Sequence, residues 1–416
     1  MYDQWTMSNG LRVVGEYLPH VRSASIGVWI KVGSMMEKPE ENGLSHFIEH
    51  MVFKGTQKRS ARDIAEEMDA VGGQLNAFTG KDCTCFYAKV IDEDLPLAVD
   101  ILSDLTLNAV FDQGEFKKER GVILEEIAMV EDTPEDLVHD LLSQAQFGQQ
   151  PLGMPILGPA ERIRKYCRED LQTFQKAHYR PENVVVSIAG NYSLERLKEL
   201  LEGAFGAWTG AGATDMPGEM IPQSKSMLYR DKDTEQVHIC MGYPGKPMGH
   251  DDLYPVAVFN NILGGGMSSR LFQRVREELG MAYSIYSYPA TYPNCGVLNL
   301  YAGTTPENAR TVMEQMEIEV KKILQDGVTE KEFSQSKAQL KGSYILGLES
   351  ASSRMQAIGR GELLLRHPPT PEETIAKIEA VTKADVLRVA KEILTVRPSV
   401  AVVGRNAEKY LQYIQK

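Results

Sequence analysis

The two halves of this 416-residue chain predict the same succession of structural elements. Residues 174–200 (FQKAHYRPENVVVSIAGNYSLERLKEL) have the pattern of a helix end, a proline-containing turn, a buried strand, a glycine turn and a helix. The same pattern returns in residues 390–414 (AKEILTVRPSVAVVGRNAEKYLQYI), and residues 111–127 match residues 324–340 in the same way. The offset is about 215 residues, so the sequence indicates one large unit present twice rather than a solenoid of short repeats.

Each half combines predicted strands with long helices. In the first half, residues 11–18 (LRVVGEYL) and 23–33 (SASIGVWIKVG) predict paired strands, and residues 74–91 predict further strands. Residues 93–130 predict a helical hairpin. We therefore expect an α+β fold made of two homologous α/β units, each a mainly antiparallel sheet covered by helices.

A stretch near residues 208–225 (WTGAGATDMPGEMIPQSK) is rich in glycine, proline and small side chains, which is typical of a connection between domains. We expect domains at residues 1–210 and 225–416, joined by a linker at 211–224. The chain length agrees with two domains, because domains commonly contain about 100–200 residues.

The composition excludes several classes of protein. A formal net charge of −12 disfavours nucleic-acid binding, which selects basic surfaces, but is compatible with basic peptides as ligands. Five cysteines without a regular spacing argue against a secreted disulfide scaffold. No apolar run approaches the roughly 20 residues that span a bilayer, and the N-terminal stretch does not resemble a signal peptide. The expected location is the cytoplasm.

The segment GLSHFIEHMVFKGT (43–56) predicts a helix with two chemically different faces. One face is apolar and consists of Leu44, Phe47, Ile48 and Met51. On the other face, His46 and His50 stand one turn apart and can bind one metal ion together. Glu49 lies beside them and can take a proton from a water on that metal. The alternative interpretation is two solvent-facing histidines beside a surface glutamate.

A catalytic zinc ion usually has three protein ligands and a water, so a third ligand is required. The predicted helix at residues 115–136 (EFKKERGVILEEIAMVEDTPED) offers Glu119 and Glu126, which lie seven residues apart on one side. Glu125 points about 100° away from Glu126. Glu126 is therefore the better candidate ligand, and Glu119 is a candidate partner that orients a ligating histidine. Without the histidine motif, both would be interpreted as solvated helix glutamates.

These two segments resemble the inverzincin metallopeptidases, which include pitrilysin, insulin-degrading enzyme, the mitochondrial processing peptidase subunits and their bacterial relatives. The resemblance covers essentially the whole chain and implies one Zn²⁺ per chain, held by His46, His50 and Glu126. It further implies a zinc endopeptidase that acts on unfolded peptides, with Glu49 activating the water. The segment LNAFTGKDCTCFYA resembles the family's edge strand, which binds peptide as an added strand. On that basis the residues expected to bind substrate are Asn76, Ala77, Phe78 and Thr79.

In the second half, the segment REELGMAY matches an arginine and a tyrosine that grip the substrate backbone near the scissile bond in the family. The resemblance places these functions on Arg276 and Tyr283, which can donate hydrogen bonds to a developing oxyanion. Gly264–Gly266 occupy the region of the glycine-rich loop of the processing peptidase, but the run is much shorter. These glycines can equally form an ordinary turn, and they lack the lysine of a phosphate-binding loop.

The resemblance also implies how the chain assembles. Family members build a clamshell from four related α/β units, and this chain holds two, so it corresponds to half of a clamshell. Because it carries both the zinc set and the Arg/Tyr pair, we expect a homodimer that binds extended peptide. Two alternatives are a non-catalytic scaffold of the same fold and a peptide-binding holdase with a structural zinc. Structural zinc usually has four protein ligands, which disfavours the holdase.

Overall fold

The computed structural model of the chain describes residues 2–210, 212–214 and 217–414. In the first half of the chain the strands are β1 (Tyr2–Thr6), β2 (Arg12–Tyr17), β3 (Ser23–Ile30), β4 (Gln74–Thr79), β5 (Thr84–Ile91) and β6 (Val184–Gly190). In the second half they are β7 (Met227–Asp231), β8 (Val237–Pro244), β9 (Ala282–Tyr292), β10 (Cys295–Thr304) and β11 (Ser399–Gly404).

The helices of the first half are α1 (Leu44–Val52), α2 (Ala61–Ala70), α3 (Leu95–Asn108), α4 (Gln113–Asp132), α5 (Pro134–Phe147), α6 (Ala160–Lys165), α7 (Arg168–His178) and α8 (Leu194–Phe205). Those of the second half are α9 (Leu253–Leu263), α10 (Ala309–Asp326), α11 (Glu330–Gly347), α12 (Ala351–Leu365), α13 (Pro371–Ala380), α14 (Lys383–Leu394) and α15 (Ala407–Ile414). The predicted helical hairpin is confirmed as α3 and α4. Among the described residues, no helix combines the length and apolar character that crossing a membrane requires.

The chain forms two compact units, and each is assembled from three segments. Unit 1 consists of Met1–Ile127, Pro155–Met216 and Leu346–Pro369. Unit 2 consists of Ala128–Met154, Pro217–Ile345 and Thr370–Lys416. Each unit contains one sheet with helices on it, so the predicted α+β class with two related units is confirmed.

The sheet of unit 1 has the strand order β1-β2-β6-β3-β5-β4. Only β2 and β6 run parallel; all other neighbours in this sheet are antiparallel. The prediction that β2 and β3 pair with each other is wrong, because β6 lies between them and bonds to both. The physical reason is that β6 is buried along its whole length, so it occupies the centre of this sheet although it is the last of the six strands along the chain.

Helices cover both faces of the unit 1 sheet. On one face, Val184, Val186 and Ile188 of β6 belong to the large core shared with α1, α3, α7 and α8. The alternate residues Val185 and Ala189 face the other side and pack with α12. Strand residues alternate between faces, so the continuous apolar run of β6 agrees with a strand buried on both sides.

The sheet of unit 2 repeats this plan with the order β7-β11-β8-β10-β9, in which only β7 and β11 run parallel. One face packs on α9, α10, α14 and α15. The other face is covered by α5, and the buried side chains there are Leu137, Val138, Leu141, Leu142, Cys240, Tyr301, Ala401 and Val403.

The two halves therefore exchange equivalent helices. Helix α5 belongs to the first half of the sequence but covers the unit 2 sheet, and α12 belongs to the second half but covers the unit 1 sheet. The sequence-predicted domains 1–210 and 225–416 differ from the compact units by these two segments. A sheet buried on both faces needs a second helical layer, but the sequence pattern does not indicate which half of the chain supplies it.

The duplication extends to backbone conformation at the ends of the equivalent strands β6 and β11. Gly190 has φ of 141° and Gly404 has φ of 149°, which side chains rarely adopt. A Cβ atom on Gly190 would lie 2.3 Å from the carbonyl oxygen of Ser23, and one on Gly404 would lie 3.0 Å from Cα of Val237. Glycine is therefore required at both positions for the same local reason.

Candidate active site

Helix α1 packs its apolar face into the core of unit 1. Leu44, Phe47, Ile48 and Met51 are each at most 3% exposed, as the helical spacing predicts. The ring of Phe47 stacks on Phe116 of α4 with centroids 4.9 Å apart. This contact fixes α1 against α4, so the polar residues that follow Phe116 along α4 lie over the histidine face of α1.

The N-terminus of α1 is held by a buried carboxylate that the sequence analysis missed. Oε1 of Glu37 accepts a hydrogen bond from the Ser45 N–H at 2.7 Å, and Oε2 accepts from the Gly43 N–H at 2.8 Å. Asn42 Nδ2 donates to Oε2 at 3.0 Å. Burial raises the pKa of Glu37, and its hydrogen bonds act in the opposite direction. The carboxylate satisfies backbone donors that helix geometry leaves without partners.

His46, His50 and Glu126 converge on one point. Oε2 of Glu126 lies 3.6 Å from Nε2 of His46 and 3.5 Å from Nε2 of His50. The potential ligand atoms of the three residues all lie within 4.8 Å of one another. The predicted third ligand, Glu126, is thus brought to the histidine pair by the packing of α4 on α1, whereas Glu125 is exposed.

This donor set fits a zinc ion. Ligand atoms about 2.0–2.1 Å from zinc stand roughly 3.4 Å apart in a tetrahedron, close to the separations found here. Oε2 of Glu126 is buried and has no hydrogen-bond partner among the described residues. Two imidazoles and one carboxylate leave a fourth position for water, which is the arrangement of catalytic rather than structural zinc.

The charges of the three residues are strongly coupled. Burial, together with the charge of His50, lowers the pKa of His46 to about 4. Burial also lowers the pKa of His50, but the neighbouring carboxylates of Glu126 and Glu119 raise it to a net value above the ordinary one. The neighbouring imidazole of His50 lowers the pKa of Glu126. Near neutral pH, His46 is therefore neutral and Glu126 ionised, as metal ligands must be.

Glu119 contacts the second nitrogen of His50, as predicted for a residue that orients a ligand. Its Oε2 accepts a hydrogen bond from Nδ1 of His50 at 3.1 Å, and its side chain is buried. Lys54, which the sequence analysis did not single out, contacts Oε1 of Glu119 at 2.9 Å. Lys54 lies two residues beyond the end of α1, and its nearness in sequence to His50 was the signal that could have identified it.

Glu49 projects from α1 beside the histidines and is largely buried. The hydroxyl of Thr79 donates a hydrogen bond to its Oε2. Burial raises the pKa of Glu49, whereas the hydrogen bond from Thr79 and the charge of His50 lower it. Glu49 does not belong to the set of converging ligand atoms formed by His46, His50 and Glu126, so it can act as a base rather than a ligand.

The strand β4 lies at the edge of the unit 1 sheet and bonds only to β5. It contains the four residues expected to bind substrate. The side chain of Asn76 accepts a hydrogen bond from the Ala77 N–H at 2.8 Å, and Phe78 packs against Trp29 with ring centroids 5.7 Å apart. Because one edge of β4 is open within the described sheet, its main chain can accept an added strand.

In unit 2, Arg276 and Tyr283 lie together. The guanidinium carbon of Arg276 is 4.9 Å from the ring centre of Tyr283 and 4.7 Å from that of Phe272. Tyr283 is 78% exposed, and Arg276 lies in the π-helical segment Phe272–Glu278. Phe272 was missed, although its position one turn before Arg276 was a usable signal. A pocket of about 470 Å³ includes these three residues and Gly264, Gly265, Gly266, Met267, Ser284, Ile285, Tyr286 and Ser287 in its lining.

Comparison with family models finds two matches that together cover most of the chain. Residues 12–160 match the family described as insulinase (peptidase family M16), and residues 166–340 match the peptidase M16 inactive domain. The chain is 45% identical to the zinc protease YmxG of Bacillus subtilis, over 97% of this chain and 98% of that one. It is 40% identical to a zinc protease of Streptomyces coelicolor, over 97% of this chain and 90% of that one.

Two solved structures share the fold over nearly their whole length. A protease from Helicobacter pylori superimposes with a TM-score of 0.92 at 21% identity, covering 97% of this chain and 99% of that one. A peptidase M16 inactive domain from Pseudomonas fluorescens gives a TM-score of 0.91 at 18% identity, covering 98% of each chain. At these identities the two structures support the fold alone. The assignment of zinc and of protease activity rests on the sequence relatives, which are named zinc proteases.

Proposed function

The chain belongs to the M16 (insulinase) family of zinc metallopeptidases, and from this premise we propose that it is an endopeptidase that hydrolyses unfolded peptides inside a dimeric chamber. The observation that carries the proposal is the convergence of His46, His50 and Glu126. Glu49 lies beside them and is not one of the candidate metal ligands. This is the arrangement that hydrolysis needs: a metal position with an open site and an adjacent base.

His46 and His50 would hold the metal through Nε2, and Glu126 would hold it through Oε2. A bound Zn²⁺ would lower the pKa of a water molecule and polarise the substrate carbonyl. Glu119 accepts a hydrogen bond from the Nδ1–H of His50, which keeps Nε2 of that ring available as a ligand atom. The buried carboxylate of Glu37 accepts hydrogen bonds from the start of α1 and so fixes the helix that carries both histidines.

Glu49 acts as the general base. One carboxylate oxygen accepts a proton from the attacking water and later returns it to the leaving amine. Burial supports this role because it raises the pKa of Glu49 and makes the carboxylate a better proton acceptor.

The substrate lies extended along β4. Main-chain hydrogen bonds to the open edge near Asn76 and Ala77 give affinity that depends little on sequence. Arg276 and Tyr283 donate hydrogen bonds to the oxygen that becomes negatively charged when water attacks. Tyr283 is exposed, and its ring contacts the guanidinium of Arg276, which supports a shared role for this pair.

A homodimer completes the chamber. The chain supplies two α/β units, whereas the family resemblance implies a chamber of four. We assign the Arg276 and Tyr283 that serve one zinc site to the second protomer, so that a twofold dimer has two composite sites. A cytoplasmic location also stays a prediction.

Digestion of a random peptide library by the purified zinc-loaded protein tests the function, with products identified by mass spectrometry. The proposal predicts internal cleavage, loss of cleavage after chelation, and recovery when zinc is returned. A zinc-free protein that never cleaves would instead support the scaffold interpretation. A zinc-loaded protein that binds but never cleaves peptides would support the holdase.

A further inference from the structure

Thr79 connects the edge strand to the candidate base. It is the last residue of β4, and its hydroxyl donates a hydrogen bond to Oε2 of Glu49 on α1. Of the groups that lower the pKa of Glu49, Thr79 is the one that donates a hydrogen bond to its side chain. Strand residues point alternately to the two faces of a sheet, so the neighbouring Phe78 points to the opposite face, where it packs on Trp29. The side chain of Thr79 is therefore directed at the helix that carries the histidines.

Two buried side chains near Glu49, Cys85 and Tyr179, do not fix its carboxylate. Burial raises the pKa of both groups, and the charge of Glu49 contributes to the rise. Neither donates a hydrogen bond to it, and the Tyr179 hydroxyl has no partner within the described part of the chain. A glutamate side chain has three rotatable bonds, so a single hydrogen bond at its tip determines where the second oxygen lies.

We propose that Thr79 is a positioning residue whose hydroxyl fixes one oxygen of Glu49 and thereby aims the other oxygen at the attacking water. The inference rests on the proposed role of Glu49 as general base. It assigns the Thr79 side chain to the base rather than to the substrate, while the main chain of β4 keeps its expected role in peptide binding. The strand that receives the peptide then also orients the base that cleaves it.

Three variants of the zinc-loaded protein separate the two assignments. Thr79→Val keeps the shape and the strand preference of threonine but removes the hydroxyl, and Thr79→Ser keeps the hydroxyl. Thr6→Val is the matched control, because Thr6 is the exposed last residue of β1 at the opposite edge of the same sheet. If Thr79→Val does not fold, Thr79→Ala removes the same hydroxyl.

Steady-state kinetics on one peptide give kcat and KM for each variant. We expect Thr79→Val to lower kcat about ten- to a hundred-fold with KM within about two-fold of wild type. Thr79→Ser should retain kcat within about three-fold, and Thr6→Val should match the wild type. An unchanged kcat in Thr79→Val, a rise in KM alone, or loss of zinc from a folded Thr79→Val protein would overturn the inference.

A binding measurement provides a readout that does not depend on turnover. Peptide affinity is measured by calorimetry for Glu49→Gln and for the double variant Glu49→Gln with Thr79→Val. Equal affinities would support the inference that the Thr79 side chain positions Glu49 and does not bind peptide. Weaker binding by the double variant would overturn that inference. Failure of the wild-type protein to cleave any peptide would contradict the proposed function itself, whereas cleavage by wild type and Thr79→Val at equal rates would contradict only the role of Thr79.

Discussion

Nδ1 of His50 donates a hydrogen bond to Glu119 at 3.1 Å, while Nε2 of the same ring lies 3.5 Å from Glu126. The two nitrogens therefore have different partners. A carboxylate can only accept, so the Nδ1 proton is held by Glu119 and the Nε2 lone pair is left for a metal. Sequence spacing predicted the three residues, but the division of tasks between the two ring nitrogens follows from the packing of α4 on α1.

The two adjacent glutamates of α4 should differ in metal retention. Glu126→Gln removes a charged ligand atom and should weaken zinc affinity at least about a hundred-fold, as measured by competition with a chelator. Glu125→Gln is the matched control, because Glu125 is the exposed neighbour on another face of the same helix. Unchanged affinity in Glu126→Gln, or equal losses in both variants, would show that the third ligand has been assigned incorrectly.

Zinc binding should release a proton in a pH-dependent way. In the zinc-free protein the pKa of His50 is raised by its glutamate partners, so the ring stays protonated below that value. Zinc requires the neutral ring, so about one proton should leave near pH 6 and fewer as the pH rises through the His50 pKa. Calorimetry in two buffers of different ionisation enthalpy measures this number. Absence of any proton release near pH 6 would contradict the assignment.

The same linkage predicts the effect of removing Glu119. Glu119→Gln takes away one of the groups that raise the His50 pKa, so the pH at which proton release declines should move downward. Zinc affinity should also fall by about ten- to a hundred-fold, the usual effect of losing a group that orients a ligand. Glu115→Gln provides the control from the start of the same helix. An unshifted release curve in Glu119→Gln would show that Glu119 does not act on His50.

Glu37→Gln should loosen the start of α1. The amide offers one acceptor oxygen where the carboxylate offers two, so one of the buried backbone donors at Gly43 and Ser45 loses its partner. Protection of these amides from hydrogen exchange should fall by about 1–3 kcal/mol. Glu40→Gln is the control, since Glu40 is exposed in the same segment. Equal exchange in the two variants would show that the carboxylate does not stabilise the helix.

Subunit mixing tests the composite site. Glu49→Gln and Arg276→Ala should each have little activity as homodimers. After subunit exchange, one of the two sites in each heterodimer has both an intact base and an intact arginine, so random pairing restores at most about one quarter of wild-type activity. Size-exclusion chromatography should first show the dimer. Proven exchange without any recovered activity would show that the arginine serves its own chain or plays no part in cleavage.

The sequence was most informative where function depends on spacing within one helix. The positions of His46 and His50, and the choice of Glu126 over Glu125, follow from helical periodicity and agree with the convergence in the structure. The sequence could not reveal Glu37 as the partner of the α1 backbone, because a carboxylate that reaches across a loop has no periodic pattern. The contact between Thr79 and Glu49 is hidden for the same reason.

The order of strands in the sheet and the exchange of α5 and α12 between the two halves could not be predicted from the sequence either. The pattern of β6 indicates a buried strand, but every sheet position with two covered faces satisfies that pattern, so its place between β2 and β3 is set by tertiary packing. Likewise, α5 and α12 have equivalent places in the duplication, and each covers the sheet of the other half of the chain. This choice of sheet is visible only in the structure.

The most direct measurement of the central claim is peptide hydrolysis and zinc content in Glu49→Gln, compared with wild type. Glutamine matches glutamate in size but cannot accept the proton of the attacking water. We expect one zinc per chain in both proteins and a loss of kcat of at least about 10²- to 10⁴-fold in the variant. Cleavage by Glu49→Gln at nearly the wild-type rate, with zinc retained, would contradict the assignment of Glu49 as the base and with it the account of this site.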